Sequence, residues 1–483
     1  MSKFTHTLRL FPKMFWFSNL IELFERWAWY GFYMAFALYL TSSKESGALG
    51  FTQVQKGVLM GTGSMLLYLL PLITGAIADR IGYRKVLLIS FAAYIAGYFM
   101  VGHFKSYPLV FAAFIFLAFA GAMFKPVISG TVAKITTKET ASLGFGIFYM
   151  MINIGGFIGP FIAGFIYKIS WNYVFIMSIA AIAVNYVFVL FFFREPGREP
   201  SGASFIKNIS IAFKNIGITL TDWKYVLFLI IMSVYWTAFN QLYYSFPVFI
   251  DAWVDLDRLS AFFNLKPGSI TAVTVSSFDS FFIIAFQIFI SYISMKFKAL
   301  TSIMGGAAII GIGLLLMFTT LNPWIVIFGL LVFSVGEMAS SPKSQEYISK
   351  IAPSGKEALY MGTYFLPIFF GHLLAGWISG KPYEMIADKY FLLQKAVAAK
   401  GLDIPPVSDS FTLSQYFGRA QELLGMNPKQ LDGYLWNTYH PYNIWILFTC
   451  IALTTALFIY LYDRFILNGS EIKHGSGIQE QKS

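Results

Sequence analysis

The chain reads Glu22-Leu23-Phe24-Glu25-Arg26-Trp27-Ala28-Trp29-Tyr30-Gly31 inside its first long apolar segment, which runs from Phe15 to Leu40. A segment of that length is predicted to cross a bilayer as a helix. Charged groups are costly in such a low-dielectric medium unless they pair with one another or face water. The two acids and the guanidinium are therefore candidates for function.

The spacing of these charges places them on one helix face. Residues three and four positions apart are neighbours on a helix, so Glu22, Glu25 and Arg26 lie together. Tyr30 and Tyr33 extend the same stripe. We expect this stripe to form one wall of a polar cavity.

Composition assigns the chain to the polytopic membrane proteins. Hydrophobic residues make up 57% of its 483 residues and charged residues 12%, against roughly 25% charged residues in soluble globular proteins. Twelve stretches approach the length of about 20 apolar residues that a transmembrane helix needs. They start near Phe15, Val54, Val86, Leu109, Leu143, Tyr173, Tyr225, Ile270, Thr301, Trp324, Ala358 and Tyr442. Six fall in each half, which predicts an all-α integral membrane fold of twelve transmembrane helices in two pseudo-symmetric six-helix bundles.

Lysine and arginine mark one side of the membrane. They precede the first span or follow an even-numbered span, whereas the alternate loops carry fewer bases or balance them with acids. The bases are Lys3, Arg9, Lys13, Arg80, Arg84, Lys85, Lys134, Lys138, Arg194, Arg198, Lys207, Lys214, Lys296, Lys298, Lys350 and Lys356. Both termini are therefore expected in the cytoplasm, with the protein in the inner or plasma membrane. The formal charge of +11 reflects this topology rather than affinity for nucleic acid, because the bases are spread over short loops.

Two further features limit the class of protein. No cleavable signal peptide is expected, because the first apolar stretch is too long for one and lacks a small-residue cleavage site. The one cysteine, Cys450, excludes an internal disulfide and a cysteine metal cluster.

The apolar pattern divides the chain into six parts. They are an N-terminal six-helix bundle (1–193), a cytoplasmic linker (194–223), helices 7 to 11 of the second bundle (224–380), an extracytoplasmic cap (381–441), helix 12 (442–467) and a cytoplasmic tail (468–483). The linker is rich in helix breakers at its start, and Ile206 to Leu220 fits an amphipathic surface helix. The cap is expected to hold two short helices separated by Pro405-Pro406.

The turn after the second span reads Gly75-Ala76-Ile77-Ala78-Asp79-Arg80-Ile81-Gly82-Tyr83-Arg84-Lys85. Gly82 permits a tight reversal, Asp79 can cap or pair, and Arg84 stays in water. The turn resembles the signature loop G-x-x-x-D-R-x-G-R/K-R/K of the major facilitator superfamily, with Tyr83 in place of a base. The resemblance implies that Gly75, Asp79, Arg80, Gly82 and Arg84 belong to a conformational switch. The alternative is an ordinary loop that follows the positive-inside rule.

The stretch at Glu22 is similar to the E-x-x-E-R-F-x-Y-Y-G motif of proton-dependent oligopeptide transporters, with Trp27 for the phenylalanine and Trp29 for the first tyrosine. Other runs that resemble this family are Gly121 to Pro126, Phe148 to Gly155, Gly336 to Pro342, Ala352-Pro353 and Met361 to Leu366. They follow the family's order over most of the chain.

Two further charges lie within apolar runs. Lys125 follows the run from Leu109 to Phe124, so its ammonium must find an acid or lose its proton, and Glu22 or Glu25 is the expected partner. The alternative is that Lys125 snorkels to the cytoplasmic face. Glu337 is the best candidate for the opposite side of the cavity.

Neutral residues complete the expected site. Tyr68, Tyr149, Asn153 and Trp236 would supply hydrogen bonds and aromatic walls, although each is equally compatible with helix packing.

Three positions depart from the peptide-transporter pattern. The family's carboxylate-binding arginine is replaced by Tyr33, and the acid of its seventh helix is replaced by Asn240. The Asn-Pro pair of its eighth helix corresponds to Asp279-Ser280. We expect Asp279 to be the relocated acid or, as an alternative, a residue at a wet rim or helix cap.

The sequence thus predicts a major facilitator transporter that moves a small organic solute together with protons by alternating access, with di- or tripeptides among the candidates. Proton-antiport efflux of amphipathic molecules is the alternative, and a membrane receptor or enzyme is less favoured because no metalloprotease or phosphate-loop motif occurs. No cofactor is expected besides the proton as coupling ion, and no metal. The expected partners are the small-molecule substrate and the lipid bilayer, without nucleic acid, and the expected state is a monomer.

Overall fold

A computed structural model describes residues 7–137, 139–195, 210, 213–214, 216–318, 321–353 and 357–467. The described elements are helices. The tail 468–483 lies outside the described residues, as do residues 206–209, 211–212 and 215 of the Ile206 to Leu220 stretch in the linker.

Twelve spans form the body of the protein. Their bounds are Lys13–Thr41 for span 1, Gln53–Leu69 and Pro71–Ile81 for span 2, Tyr83–His103 for span 3, Tyr107–Ile135 for span 4, Ala141–Ile166 for span 5, Trp171–Phe191 for span 6, Trp223–Phe239, Gln241–Tyr244 and Phe246–Trp253 for span 7, Ala272–Ser276 and Phe278–Ser294 for span 8, Ala299–Phe318 for span 9, Pro323–Ile351 for span 10, Glu357–Gly362 and Phe365–Ser379 for span 11, and Asn443–Leu461 for span 12. The twelve helices agree with the predicted number, and spans 2, 7, 8 and 11 are interrupted.

Length and composition alone identify most of these spans as membrane-crossing. Within the described residues ten helices meet the requirement, and the bent pair that forms span 2 makes eleven. Span 1 is the twelfth, and its run from Gly31 to Leu40 is buried inside the protein at every position. Its charges are therefore carried by a helix that largely avoids lipid.

Spans 1 and 5 cross with their backbones in close contact. A Cβ on Gly155 would lie 2.4 Å from the Leu23 carbonyl oxygen, and one on Gly159 would lie 2.3 Å from that of Trp27. Small residues at such crossings let two transmembrane helices approach each other. This packing fixes the face of span 1 that carries Glu22 and Arg26.

The two halves of the protein meet at one end. Lys56 on span 2 is fully buried and donates to the Tyr244 carbonyl oxygen on span 7 at 2.9 Å. The Thr271 hydroxyl at the start of span 8 donates to the Gly164 carbonyl oxygen on span 5 at 3.0 Å. Because residues 381–441 lie at this end, we call it the cap end, and the opposite end, where span 6 leads into the linker, the linker end.

The cap contains four helices rather than the two that the sequence predicts. They are Lys381–Ala387, Lys389–Ala399, Leu413–Leu424 and Pro428–Tyr439. The expected break at Pro405-Pro406 separates the two pairs, but each pair is divided again. Asp388 begins the second helix as its N-cap, and Gly425 in a left-handed conformation ends the third.

Candidate functional site

A polar and aromatic cavity of about 140 Å³ lies between the two halves. Its lining residues are Arg26, Trp29, Tyr30, Tyr33, Ser64, Leu67, Tyr68, Trp236, Phe239, Asn240, Tyr243, Glu337 and His372. Seven of the predicted site residues are among them, and they come from spans 1, 2, 7 and 10. The predicted residues thus lie on four of the five spans that line this cavity, and the fifth is span 11, which contributes His372.

Arg26 is held by both acids of its own helix. Its Nε lies 3.2 Å from Glu22 Oε1, and its guanidinium also pairs with the Glu25 carboxylate. All three residues are at most 6% exposed. The guanidinium carbon lies 5.7 Å from the centre of the Tyr30 ring, so the predicted stripe forms a buried ion cluster that faces the cavity through Arg26.

The two acids differ in their remaining partners. Glu25 also accepts a hydrogen bond from the Tyr94 hydroxyl on span 3. Among the described residues, Glu22 Oε2 is buried without a hydrogen-bond partner. A buried carboxylate oxygen in that state is costly. Glu22 is therefore the acid of the cluster that keeps an unused acceptor atom.

Lys125 does not form the ion pair that the sequence predicts. Its Nζ lies 4.1 Å from the centre of the Tyr68 ring, whereas Glu22 and Glu25 are occupied by Arg26. Cation–π contact with an aromatic face partly replaces the missing carboxylate. The ammonium is therefore close to the cluster but separate from it, behind a tyrosine that lines the cavity.

The acids of the second half occupy different environments. Glu337 lines the cavity, and its Oε2 is buried without a hydrogen-bond partner in the described part of the chain. Asp279 lies outside the lining, 3% exposed, and accepts a hydrogen bond of 2.6 Å from the Ser334 hydroxyl. Asn240 lines the cavity at the first break of span 7. Glu337 is thus the acid that a bound solute would meet.

Tyr149 and Asn153 lie outside the lining. The Asn153 side-chain amide donates to the Tyr149 carbonyl oxygen at 2.9 Å, which is a contact within span 5. By contrast, Tyr33 lines the cavity, and its hydroxyl lies 2.6 Å from the Ser64 hydroxyl. The arginine position of the peptide transporters is therefore filled here by a neutral, already paired group.

Sequence reasoning missed six residues of the lining and the neighbouring Tyr244; the six are Trp29, Ser64, Leu67, Phe239, Tyr243 and His372. His372 on span 11 stacks on Tyr68 with ring centres 5.1 Å apart, and Tyr243 packs on Tyr33 with ring centres 5.5 Å apart. A single histidine in an apolar span was the available signal for the first of these. In the described residues no group of three His, Cys, Asp or Glu side chains is arranged to hold a metal ion.

The predicted switch loop lies at the linker end. Gly82 has φ +98°, which favours glycine, and the Tyr83 hydroxyl donates to Asp79 Oδ1 at 3.3 Å. Arg84 Nη2 donates to the Leu190 carbonyl oxygen at the end of span 6 at 2.6 Å. Gly75 and Arg80 lie on the second segment of span 2. These hydrogen bonds of the loop join spans 2, 3 and 6 within the first half.

A neighbouring carboxylate closes the same loop. Glu195, just after span 6, accepts hydrogen bonds from the backbone N–H groups of Tyr83 at 2.7 Å and Arg84 at 2.9 Å. It therefore caps the N-terminus of span 3, where the helix dipole favours a negative charge.

Comparison with known proteins gives three informative matches and a family. The profile described as Major Facilitator Superfamily matches residues 18–376. A Na(+), Li(+), K(+)/H(+) antiporter of Planococcus maritimus is 24% identical over 320 residues, which cover 62% of this chain and 75% of the antiporter. A di-/tripeptide transporter of Lactococcus lactis subsp. lactis (strain IL1403) is 28% identical over 249 residues, and the alignment spans 49% of this chain and 47% of that relative. The crystal structure of a POT family transporter in complex with 5-aminolevulinic acid has a TM-score of 0.69 at 17% identity, covering 95% of this chain and 99% of that one. At that identity, the match with the POT family structure shows that the two proteins share a fold.

Proposed function

Because the chain belongs to the major facilitator superfamily, we propose that it is a secondary transporter that moves a small organic solute together with protons by alternating access. The chain is a membrane transporter and not an enzyme. The proteins that it resembles are membrane transporters too. The observation that carries the proposal is the buried cluster of Arg26 with Glu22 and Glu25 beside a cavity between the two halves.

The cavity favours a solute with a positively charged nitrogen. Glu337 Oε2 is a buried acceptor without a donor, and the rings of Tyr30, Tyr68 and Trp236 line the same space. A carboxylate surrounded by aromatic rings suits an ammonium group. Peptides and peptide-like amines fit this chemistry, and the di-/tripeptide transporter among the relatives supports them.

Tyr33 and Lys125 limit how a solute carboxylate would bind. Tyr33 is neutral and bonded to Ser64, so the cation for a solute carboxylate would be Arg26 after an acid has released it, or Lys125, reached past the Tyr68 ring. A solute with a bulky or absent carboxylate is therefore as suitable as a dipeptide.

Proton coupling rests on the first half. Protonation of Glu22 or Glu25 weakens the hold on Arg26 and frees its charge for the cavity. The electrostatic environment of Lys125, whose ammonium contacts the Tyr68 ring, then changes. This change biases one conformation over the other. Asp279, bonded to Ser334 outside the lining, is a supporting acid in this scheme.

We place the linker end and both termini in the cytoplasm and the cap outside. The bases of the short loops support this orientation. Since the halves are joined at the cap end, the described conformation faces the cytoplasm, and a solute would leave the cavity toward the linker. The proposed membrane is the inner or plasma membrane, with the chain acting as a monomer.

Proton-driven efflux is the second candidate. The lining is mainly aromatic, which suits amphipathic molecules, and one relative is named a cation/H(+) antiporter. The direction in which a pH gradient drives the solute separates the two functions.

Transport in liposomes tests the proposal. A thermal-shift screen of dipeptides and amine metabolites identifies a binder, because a ligand that binds the folded state raises its stability. That solute is then offered to proteoliposomes with an acidic exterior. We expect uptake by the unaltered chain. Lys125→Ala should abolish this uptake and leave solute exchange at equal pH intact. Lys400→Ala serves as the control, because Lys400 is an exposed lysine in the cap. Undiminished gradient-driven uptake by Lys125→Ala would exclude Lys125 from coupling.

A further inference from the structure

His372 is a buried titratable residue to which the proposed cycle gives no role. It lies in span 11, 4% exposed, and lines the central cavity. Among the described residues, its Nε2 atom is buried without a hydrogen-bond partner. A bare ring nitrogen in a membrane cavity is a place where a proton can bind.

The neighbouring tyrosine fixes which nitrogen is bare. The Tyr244 hydroxyl lies 3.1 Å from the Met60 carbonyl oxygen and 3.1 Å from His372 Nδ1. A carbonyl oxygen only accepts, so the hydroxyl proton points to Met60, and Nδ1–H donates to the hydroxyl oxygen. The ring is then neutral, with its free lone pair on Nε2.

The groups around the ring oppose a second proton in this conformation. The Tyr68 ring of span 2 stacks on the imidazole, and the Lys125 ammonium of span 4 lies 4.1 Å from the centre of that tyrosine ring. Arg26 of span 1, paired with its two acids, and Glu337 of span 10 line the same cavity. No acceptor contacts Nε2 in the described structure, so an imidazolium N–H would be unpaired here.

His372 also lies at the contact that closes the cap end. The Tyr244 hydroxyl, which His372 contacts, donates to the Met60 carbonyl oxygen on span 2. A Cβ on Gly61 of span 2 would lie 3.3 Å from the His372 carbonyl oxygen. Opening the cap end separates spans 2 and 11 and exposes the ring to the outside water. Hydration removes the penalty on the charged form.

We propose that His372 binds a proton in the cap-open state and releases it when the cap end closes, so that acid outside favours opening. The inference rests on the alternating access of the proposed function and adds a proton-binding residue in the second half. A proton that binds one of two states shifts their equilibrium toward that state.

Distances between spin labels test this without any solute. The probe is the proton itself, and the protein is the full chain in lipid nanodiscs with Cys450→Ser, Ser46→Cys and Lys266→Cys. The two labels sit on exposed loops at the cap end, one on each half. For one linked proton, the ratio of open to closed protein is expected to rise by up to about tenfold per unit of falling pH.

The variant His372→Gln is expected to reduce the response by the share of one linked proton, up to about tenfold per pH unit, since the amide does not titrate. The response that remains is assigned to Glu22 and Glu25 of the first half. His103→Gln is the matched control, because His103 is exposed at the end of span 3 and should leave the response unchanged. If His372→Gln does not fold, His372→Phe replaces it and keeps a ring against Tyr68.

Two results would overturn the inference. A pH response in the His372 variant equal to that of the unaltered chain excludes this residue alone. A single distance at every pH in the unaltered chain contradicts alternating access as well, and the liposome assay then decides whether the proposed function has failed too.

Discussion

Gly57 of span 2 lies so close to Gly376 of span 11 that a Cβ on Gly57 would stand 2.2 Å from the Gly376 carbonyl oxygen. A Cβ on Gly376 would likewise lie 2.4 Å from the Gly57 carbonyl oxygen. The cap end can therefore close only because both positions are glycine and carry no side chain. Any methyl group there must push the two halves apart, because both opposing groups are backbone.

Gly57→Ala should accordingly favour the cap-open state. Overpacking of this kind costs about 1–3 kcal/mol, and the cost falls on the closed conformation alone. The gain in helix propensity applies to both conformations and cancels. The label pair at Ser46 and Lys266 measures the open fraction.

The control for this prediction is Gly305→Ala. Gly305 lies in span 9, and a Cβ there would meet nothing within 4 Å. It should leave the distances unchanged. An open fraction in Gly57→Ala equal to that in Gly305→Ala would mean that spans 2 and 11 do not form the gate.

Asp388 should stabilise the cap more than the exposed Lys44–Asp409 pair does. Its Oδ1 accepts from the Phe391 N–H at 2.8 Å as a helix N-cap, and its Oδ2 accepts from the Gln53 side chain at 2.8 Å. Asp388→Ala is expected to cost about 0.5–2 kcal/mol and to speed tryptic cleavage within the cap. Lys44→Ala should have little effect, because the Lys44–Asp409 pair is 70% and 90% exposed. Equal cleavage rates in the two variants would contradict this ranking.

The contacts between the cap and the first external loop should weaken in acid. The Lys44 ammonium lowers the pKa of Asp409, and the Ser414 hydroxyl lowers the pKa of Glu45, from ordinary values of 3.8 and 4.5. A lowered pKa stabilises the contact above the ordinary value, and the stabilisation is lost as the pH falls through the folded pKa. Hydrogen exchange of loop residues 42–50 should therefore be constant from pH 8 to pH 5, after correction for intrinsic rates, and less protected below about pH 4.

Asp388 contributes in the opposite direction. Burial raises the pKa of its carboxyl, so its ionisation reduces the stability of the cap as the pH rises through the ordinary value.

The double variant Glu45→Gln with Asp409→Asn isolates the effect of the two exposed carboxylates. It should abolish the loss of protection below pH 4, and an unchanged loss would assign the effect to other carboxyls.

Asp279 is expected to act as a relocated acid. Asn240 lines the cavity where the peptide transporters carry a carboxylate, whereas Asp279 is buried against Ser334. Asp279→Asn should reduce gradient-driven transport, and adding Asn240→Glu should restore part of it, because the acid returns to the cavity. Normal pH dependence of transport in Asp279→Asn would exclude Asp279 from proton coupling.

The sequence predicted what local spacing determines. Twelve apolar stretches predicted the spans, and the three- and four-residue spacing of Glu22, Glu25 and Arg26 predicted their pairing, which the structure shows. The sequence did not predict contacts between residues of spans that are distant in the chain. Lys125 lies on Tyr68 and not on an acid, and His372 enters the cavity from span 11, because tertiary packing and not helix periodicity sets these contacts.

The last prediction separates two roles within the switch loop. Glu195 bonds to backbone groups of Tyr83 and Arg84 within the first half, so these bonds persist when the halves move as rigid bodies. Glu195→Ala should therefore cost about 0.5–2 kcal/mol of stability and leave the ratio of the two conformations unchanged. Thermal unfolding and the cap-end label distances measure these two quantities.

Asp79→Asn should show the opposite pattern. The exposed Asp79 carboxylate accepts from the Tyr83 hydroxyl, and an amide oxygen accepts the same bond, so thermal stability should not change. We expect the lost charge to matter in the cap-open state, because alternating access brings the linker ends of the two halves together there and places the carboxylate near the second half. We therefore expect Asp79→Asn to lower the cap-open fraction in the label distances without changing solute affinity in the cap-closed state. Identical distances in Asp79→Asn and the unaltered chain would reduce the loop to a structural turn.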